Sequence, residues 1–243
     1  MTIFKNKQKL RIMKKLILFT ISCLFTLLSF AQSDIQGAYL LQEGQSTKLW
    51  LFIDGYCSLT NYQQDKYIST EGGPFTYSDG KLQINLEFND ADNNLVGTTR
   101  TIALQVEKGN LVAESGEIWK KTTGKAQKLD GNWRITGRQQ EDKISIIPRG
   151  DRKTIKLLVG GYFQWVAINP AEKGFYGTGG GNYIFENDKY TEQILFFSRD
   201  NSRVGAKLNF KGEIKDGKWN HSGLSSKGEP IFEIWTRETI GIQ

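Results

Sequence analysis

The sequence predicts an all-β protein built as two tandem, small, antiparallel up-and-down β-barrels. Three observations predict it: apolar residues alternating with period two, tight-turn signals at strand spacing, and one long internal repeat. Leu82, Ile84, Leu86 and Phe88 alternate with Gln83, Asn85 and Glu87, and Ile102, Leu104 and Val106 continue the pattern. Turn signals recur at Asp54-Gly55, Asp79-Gly80 and Lys108-Gly109, then at Gly160-Gly161, Asn187-Asp188 and Asp216-Gly217. The stretch EGGPFTYSDGKLQINLEF (71–88) lies 108 residues before GGGNYIFENDKYTEQILF (179–196). Upstream, Gly55-Tyr56 matches Gly161-Tyr162, and Gly37-Ala38-Tyr39 matches Gly131-Asn132-Trp133. Each half closes on Ile-Trp and basic residues, Ile118-Trp119-Lys120 and Ile234-Trp235-Thr236-Arg237.

Residues 1–31 stand apart. A basic start and Met13-Lys14-Lys15 lead into an apolar run from Leu16 to Phe30, and Ser29-Phe30-Ala31 forms a small-residue cleavage site. That is the pattern of a secretory signal peptide, too short and wrongly flanked for a membrane span, and Met13 is itself an acceptable start. A lipid anchor at Cys23 is the weaker reading, because Thr20-Ile21-Ser22 is a poor approach to it. The expected product is exported, periplasmic or secreted, without a transmembrane segment. The leader also supplies all of the +6 formal charge, so removing it leaves 26 basic against 26 acidic residues. Nucleic-acid binding thereby loses its electrostatic support. Cys57 is then the only cysteine, which leaves no internal disulfide and suits a buried small apolar residue.

The first barrel is expected over 32–120, a polar linker (KTTGKAQK) over 121–128, and the second barrel over 129–243. In the second, eight strands fall at about 131–138, 153–159, 161–168, 182–186, 189–197, 205–214, 218–222 and 230–237. Alternate connections of a meander lie at the same end. One end is therefore closed by tight hairpins, while the other gathers the long connections into a mouth. The glycines between Gly177 and Gly181 are expected in the turn before the fourth strand; no helix and no adjacent lysine follow to make a phosphate loop.

Gly131-Asn132-Trp133 on the first strand of the second copy resembles the G-x-W of lipocalins, and Arg237 resembles the basic residue that packs over that tryptophan. The whole mature chain is similar to lipocalin-like secreted proteins of Gram-negative bacteria, in tandem. The likeness implies a small closed barrel and small-molecule binding. Tyr39 replaces the tryptophan in the first copy, no T-D-Y motif is present, and each copy is short for the family. A flattened β-sandwich is the competing arrangement.

Comparing the copies isolates positions that packing alone would keep apolar. Glu192 stands in the place of Ile84, in step with Ile194 and Phe196, which are expected to point inward. His221 stands for Ala113, and shares a face with Trp219. Arg199 and Arg203 replace Ala91 and Leu95 at the mouth, and the connection after the first strand is 12 residues longer in the second copy. A buried carboxylate needs a partner, so Glu192 implies an ion-pair partner, water or ligand. The expected ligand site is thus Glu192, His221, Arg199 and Arg203, walled by Trp165, Tyr190 and Trp219. The arginines suit an anionic sugar or lipid. An acid–base enzyme (lyase, isomerase or hydrolase) using Glu192 and His221 is a second reading, and a structural or assembly component a third. One histidine excludes a His-rich metal centre, no nucleophile motif is present, and no cofactor is expected.

Overall fold

The computed structural model describes residues 35–141, 143–225, 227–238 and 240. The leader expected over 1–31 lies outside them. The first repeat forms β1 (Gly37–Glu43), β2 (Ser46–Ile53), β3 (Tyr56–Gln63), β4 (Lys66–Ser78), β5 (Lys81–Asn85), β6 (Phe88–Asn89), β7 (Thr99–Glu107), β8 (Asn110–Ala113) and β9 (Ile118–Lys121). The second forms β10 (Gly131–Gln140), β11 (Lys143–Ile146), β12 (Lys153–Val159), β13 (Tyr162–Asn169), β14 (Gly174–Glu186), β15 (Lys189–Phe197), β16 (Lys207–Lys215), β17 (Lys218–Leu224) and β18 (Pro230–Arg237). Pairing is antiparallel throughout. Pairing of β1 with β9 closes the first eight-stranded meander, and pairing of β10 with β18 closes the second. The fold is two closed barrels rather than a sandwich, so neither copy is left with an open sheet. Among the described residues no helix is long and apolar enough to cross a membrane.

The tight turns form where the sequence supplies residues tolerant of a left-handed backbone, with Asp54, Asp79, Lys108, Asn187, Asp188 and Asp216 all at positive φ. The glycine run corrects the expected turn. It lies inside β14, and only four residues, Pro170–Lys173, join β13 to β14. Close approach rather than turn geometry selects these glycines. A Cβ on Gly181 would sit 1.9 Å from the Gln193 carbonyl oxygen, and one on Gly180 would sit 2.5 Å from that of Phe163. In the first copy a Cβ on Gly73 would sit 1.9 Å from the Asn85 carbonyl oxygen. Both copies thus bend one long strand sharply at a glycine pair to turn the barrel corner.

The bend carries a β-bulge. Gly181 pairs with Ile194 and Gly180 with Phe196, so Leu195 is the extra residue. One inserted residue exchanges the faces beyond it. Phe196, expected inside beside Ile194, therefore points out of the barrel, and Phe197 turns toward the interior.

Phe196 has a partner there. The outer face of β2–β3 packs on the outer face of β12–β13, burying Leu49, Leu51, Ile53 and Tyr62 with Ile155, Leu157, Val159 and Ile168. The positions correspond at an offset of 106, and Phe88 and Phe196 correspond at 108, so equivalent faces of the two copies meet. Strands buried on both sides explain the unbroken buried runs LWLFI and KLLV, which lack period-two alternation in burial. At the centre, Gln164 accepts from Thr60 (3.0 Å) and donates to Thr70 (3.0 Å) and Thr178 (2.9 Å). Thr70 and Thr178 donate onward to the Leu59 and Trp165 carbonyls. All four side chains are buried, and every one finds partners, as burial of polar groups requires. At the edge, Arg237 grips Asp54 through two bonds of 2.8 and 2.9 Å.

Candidate functional site

Strand direction sets the level of each inward residue. Counted from the tight-turn end of the second barrel, the first inward residues are Trp133, Leu158, Phe163, Tyr190, Trp219 and Trp235, an aromatic floor. The second are Lys156 on β12, Glu192 on β15, His221 on β17 and Glu233 on β18. Toward the mouth come Ile194, Phe197, Leu208 and Ile231, with Ile147 and Trp165 packed at the same side. The second barrel therefore stacks an aromatic floor, a polar layer and an upper apolar wall, of which Ile194 is buried and the rest partly exposed.

Within the polar layer, Lys156 Nζ lies 3.0 Å from Glu192 Oε1, and each side chain is only 6% exposed. Two strands, β13 and β14, separate β12 from β15, so this ion pair spans the lumen. The ammonium also lies 5.2–5.7 Å from the ring centres of Phe163, Tyr190, Trp219 and Trp235. Four ring faces offset part of the cost of stripping water from the lysine. Lys156 is the partner that Glu192 demanded. At the repeat offset of 106 it stands in the place of Trp50, which was the available signal for it.

His221 is buried, and its Nδ1 lies 3.2 Å from Glu233 Oε2. A carboxylate only accepts, so Nδ1 carries the proton and Nε2 presents a lone pair. Burial and then the Lys156 charge hold the imidazole pKa below its ordinary value, against the pull of Glu233. Burial would raise the Glu233 carboxyl, but His221, Lys156 and Trp235 outweigh it and hold that pKa low. Trp235 Nε1 donates to the same carboxylate at 3.1 Å. Nε2 of His221 has no partner among the described residues, and the centre of the imidazole lies 4.3–5.5 Å from the ring centres of Phe210, Trp219 and Tyr190. The Tyr190 phenol is pushed well above its usual range, by burial first and then by Glu192. The Trp219 indole nitrogen is likewise buried without a hydrogen bond, whereas the Tyr190 hydroxyl interacts with Glu192.

The structure brings five of the seven sequence-derived residues into one lumen: Trp165, Tyr190, Glu192, Trp219 and His221. Glu192 and His221 are each bonded to another residue rather than to one another. Arg199 and Arg203 lie apart from them, on the connection from β15 to β16. Exposed Arg199 donates twice to the Tyr176 carbonyl, and Arg203 pairs with Asp200 at 3.1 Å. The turn they occupy recurs in the first copy, where Asp92 accepts from Asn94 as Asp200 does from Ser202. Both arginines thus serve the rim. Glu233 was missed because Glu117 occupies the matching position of the first copy, so comparing the copies does not single it out.

The first barrel is the contrast. Where the second has Lys156, Glu192 and His221, the first has Trp50, Ile84 and Ala113, all within one apolar core. Cys57 belongs to that core, its thiol pushed up to about 12 chiefly by burial. In the second copy Arg237 lies across from Trp133 in register, beside Gly131, with its guanidinium turned to Asp54.

No family model and no curated protein matches the chain. Among solved structures it is similar to a lipocalin-like protein from Bacteroides uniformis ATCC 8492, at 16% identity and a TM-score of 0.33. That match covers 45% of this chain and 98% of the other. It is also similar to an uncharacterized protein from Bacteroides eggerthii DSM 20697, at 17% identity and a TM-score of 0.30, over 44% and 98% of the two chains.

Proposed function

We propose that the chain is an exported binding protein in which the first barrel is a packed scaffold and the second holds a small molecule. One observation carries the reading: a buried polar layer present in one lumen and absent from its repeat. Charged groups inside a barrel cost stability, and a purely structural barrel has no use for them. The first copy demonstrates that the same fold closes with apolar residues at these positions. The unpartnered His221 Nε2 is where a ligand would gain a bond that the protein leaves unmade. Export rests on the basic-then-apolar leader over residues 1–31.

Native mass spectrometry of protein purified from its own host tests the reading. The comparison is a variant given apolar lumen residues, Lys156→Met/Glu192→Ile/His221→Ala. A discrete mass retained by the wild type and absent from the variant is expected. Equal spectra, with the variant folded, would count against a lumen ligand.

A further inference from the structure

The ligand head group is specified by the polar layer. Resting on the binding reading above, we infer that the second barrel takes an amphipathic molecule whose head is a hydroxyl or an ammonium, and rejects the matching carboxylate. His221 Nδ1 is committed to Glu233, so Nε2 is held as an acceptor and needs an O–H or N–H donor. A carboxylate brings only lone pairs to that nitrogen, and of the donors near it the Tyr190 hydroxyl is turned to Glu192 and the Trp219 indole nitrogen lies against Gly212. The groups facing the histidine add to the discrimination: one ammonium, Lys156, stands against two carboxylates, Glu192 and Glu233. Lys156 is already engaged by Glu192 and by four ring faces, so it offers little to a second anion. Arg138, opposite Glu233 on β10, is exposed to solvent, which screens it. Arg199 and Arg203, the cations that would favour an anion, are bonded at the rim. Lowered basicity of the buried imidazole works the same way, since a neutral ring cannot donate from Nε2.

Above the polar layer the wall is apolar: Ile194, Leu208, Ile231 and Phe197. From Glu192 to Phe197 the strand runs five residues, about 16 Å, or roughly 12 Å along the axis of a tilted barrel. An extended eight-carbon chain matches that height. A head down, tail up arrangement follows.

The test uses octan-1-ol, octylamine and octanoate on the full mature chain, labelled with nitrogen-15 at histidine. The chain has one histidine, so the imidazole signals report this site alone. Octan-1-ol or octylamine should shift the Nε2 resonance and raise the melting temperature, with octanoate binding at least tenfold more weakly. His221→Phe should abolish the preference. Octanoate binding as tightly as the alcohol and amine would overturn the head-group inference while leaving the binding reading intact. If no probe moves the histidine resonance, the lumen site itself fails, and the inference with it.

Discussion

The ion pair across the second lumen makes the sharpest stability prediction. Replacing Lys156 by Met keeps the chain length and removes the ammonium, leaving Glu192 in a site where both side chains are only 6% exposed. Losing one member of a buried pair costs about 3–5 kcal/mol. The reverse change, Glu192→Gln, should cost less by about 2 kcal/mol, because the orphaned ammonium keeps Phe163, Tyr190, Trp219 and Trp235 around it. Removing both charges, Lys156→Met with Glu192→Ile, reproduces the apolar character of Trp50 and Ile84 in the first barrel. It should return stability to within about 1 kcal/mol of wild type or raise it. Urea unfolding followed by tryptophan fluorescence measures all three. In a chain of this size each kcal/mol corresponds to about 2–4 °C, so the lysine variant should melt about 6–20 °C lower. The reasoning is refuted if Lys156→Met costs under about 1 kcal/mol, or if the double variant costs the sum of the singles.

The single histidine gives a pH prediction. Its folded pKa lies below the unfolded value of about 6.5, so the unfolded chain takes up the proton first as pH falls. The stabilisation is therefore complete above pH 6.5 and declines below it, by at most about 1.4 kcal/mol per pH unit, until the folded imidazole titrates. Unfolding free energies at pH 7.5, 6.5 and 5.5 should fall, and His221→Phe should flatten that decline; an unchanged slope would contradict a neutral buried imidazole. At the inter-barrel face, Gln164→Ala removes three buried hydrogen bonds, with Thr60, Thr70 and Thr178, which keep their other partners, and should cost about 1–3 kcal/mol. Calorimetry should still find one coupled transition in the wild type. Gly181→Ala places a Cβ against the Gln193 carbonyl, and expression of folded protein should collapse, whereas Gly150→Ala, where a Cβ meets nothing and the backbone is not left-handed, should leave most of it. Circular dichroism separates the two.

Most of the architecture is written in local patterns. Period-two runs such as KLQIN, the Asp-Gly turns and the repeat offsets are short-range signals, and the eight-stranded closed meanders follow from them. What escaped were effects of close approach and of a partner surface. Glycine reads as a turn residue by default, yet Gly180 and Gly181 lie in mid-strand because a neighbouring carbonyl leaves no room for a Cβ. The resulting bulge reversed Phe196, which a strict alternation cannot foresee. The packing of one barrel on the other was present in LWLFI and KLLV, since a strand buried on both faces stops alternating. The buried polar layer was legible wherever the two copies differ, at Glu192 and His221, and by the same comparison Lys156 against Trp50 was available. Arg199 and Arg203 differ too, but a long side chain in a turn has carbonyls and carboxylates of its own to satisfy.

Whether the imidazole at position 221 is the contact point for a bound molecule can be read directly from nitrogen-15 spectra of the lone histidine. The spectra are recorded on protein as isolated from its host and again after solvent extraction of bound small molecules. The account predicts a neutral ring protonated at Nδ1 near pH 7, with the Nε2 signal displaced between the two samples. A charged imidazolium at that pH, or superimposable spectra from samples that differ in bound mass, would contradict it.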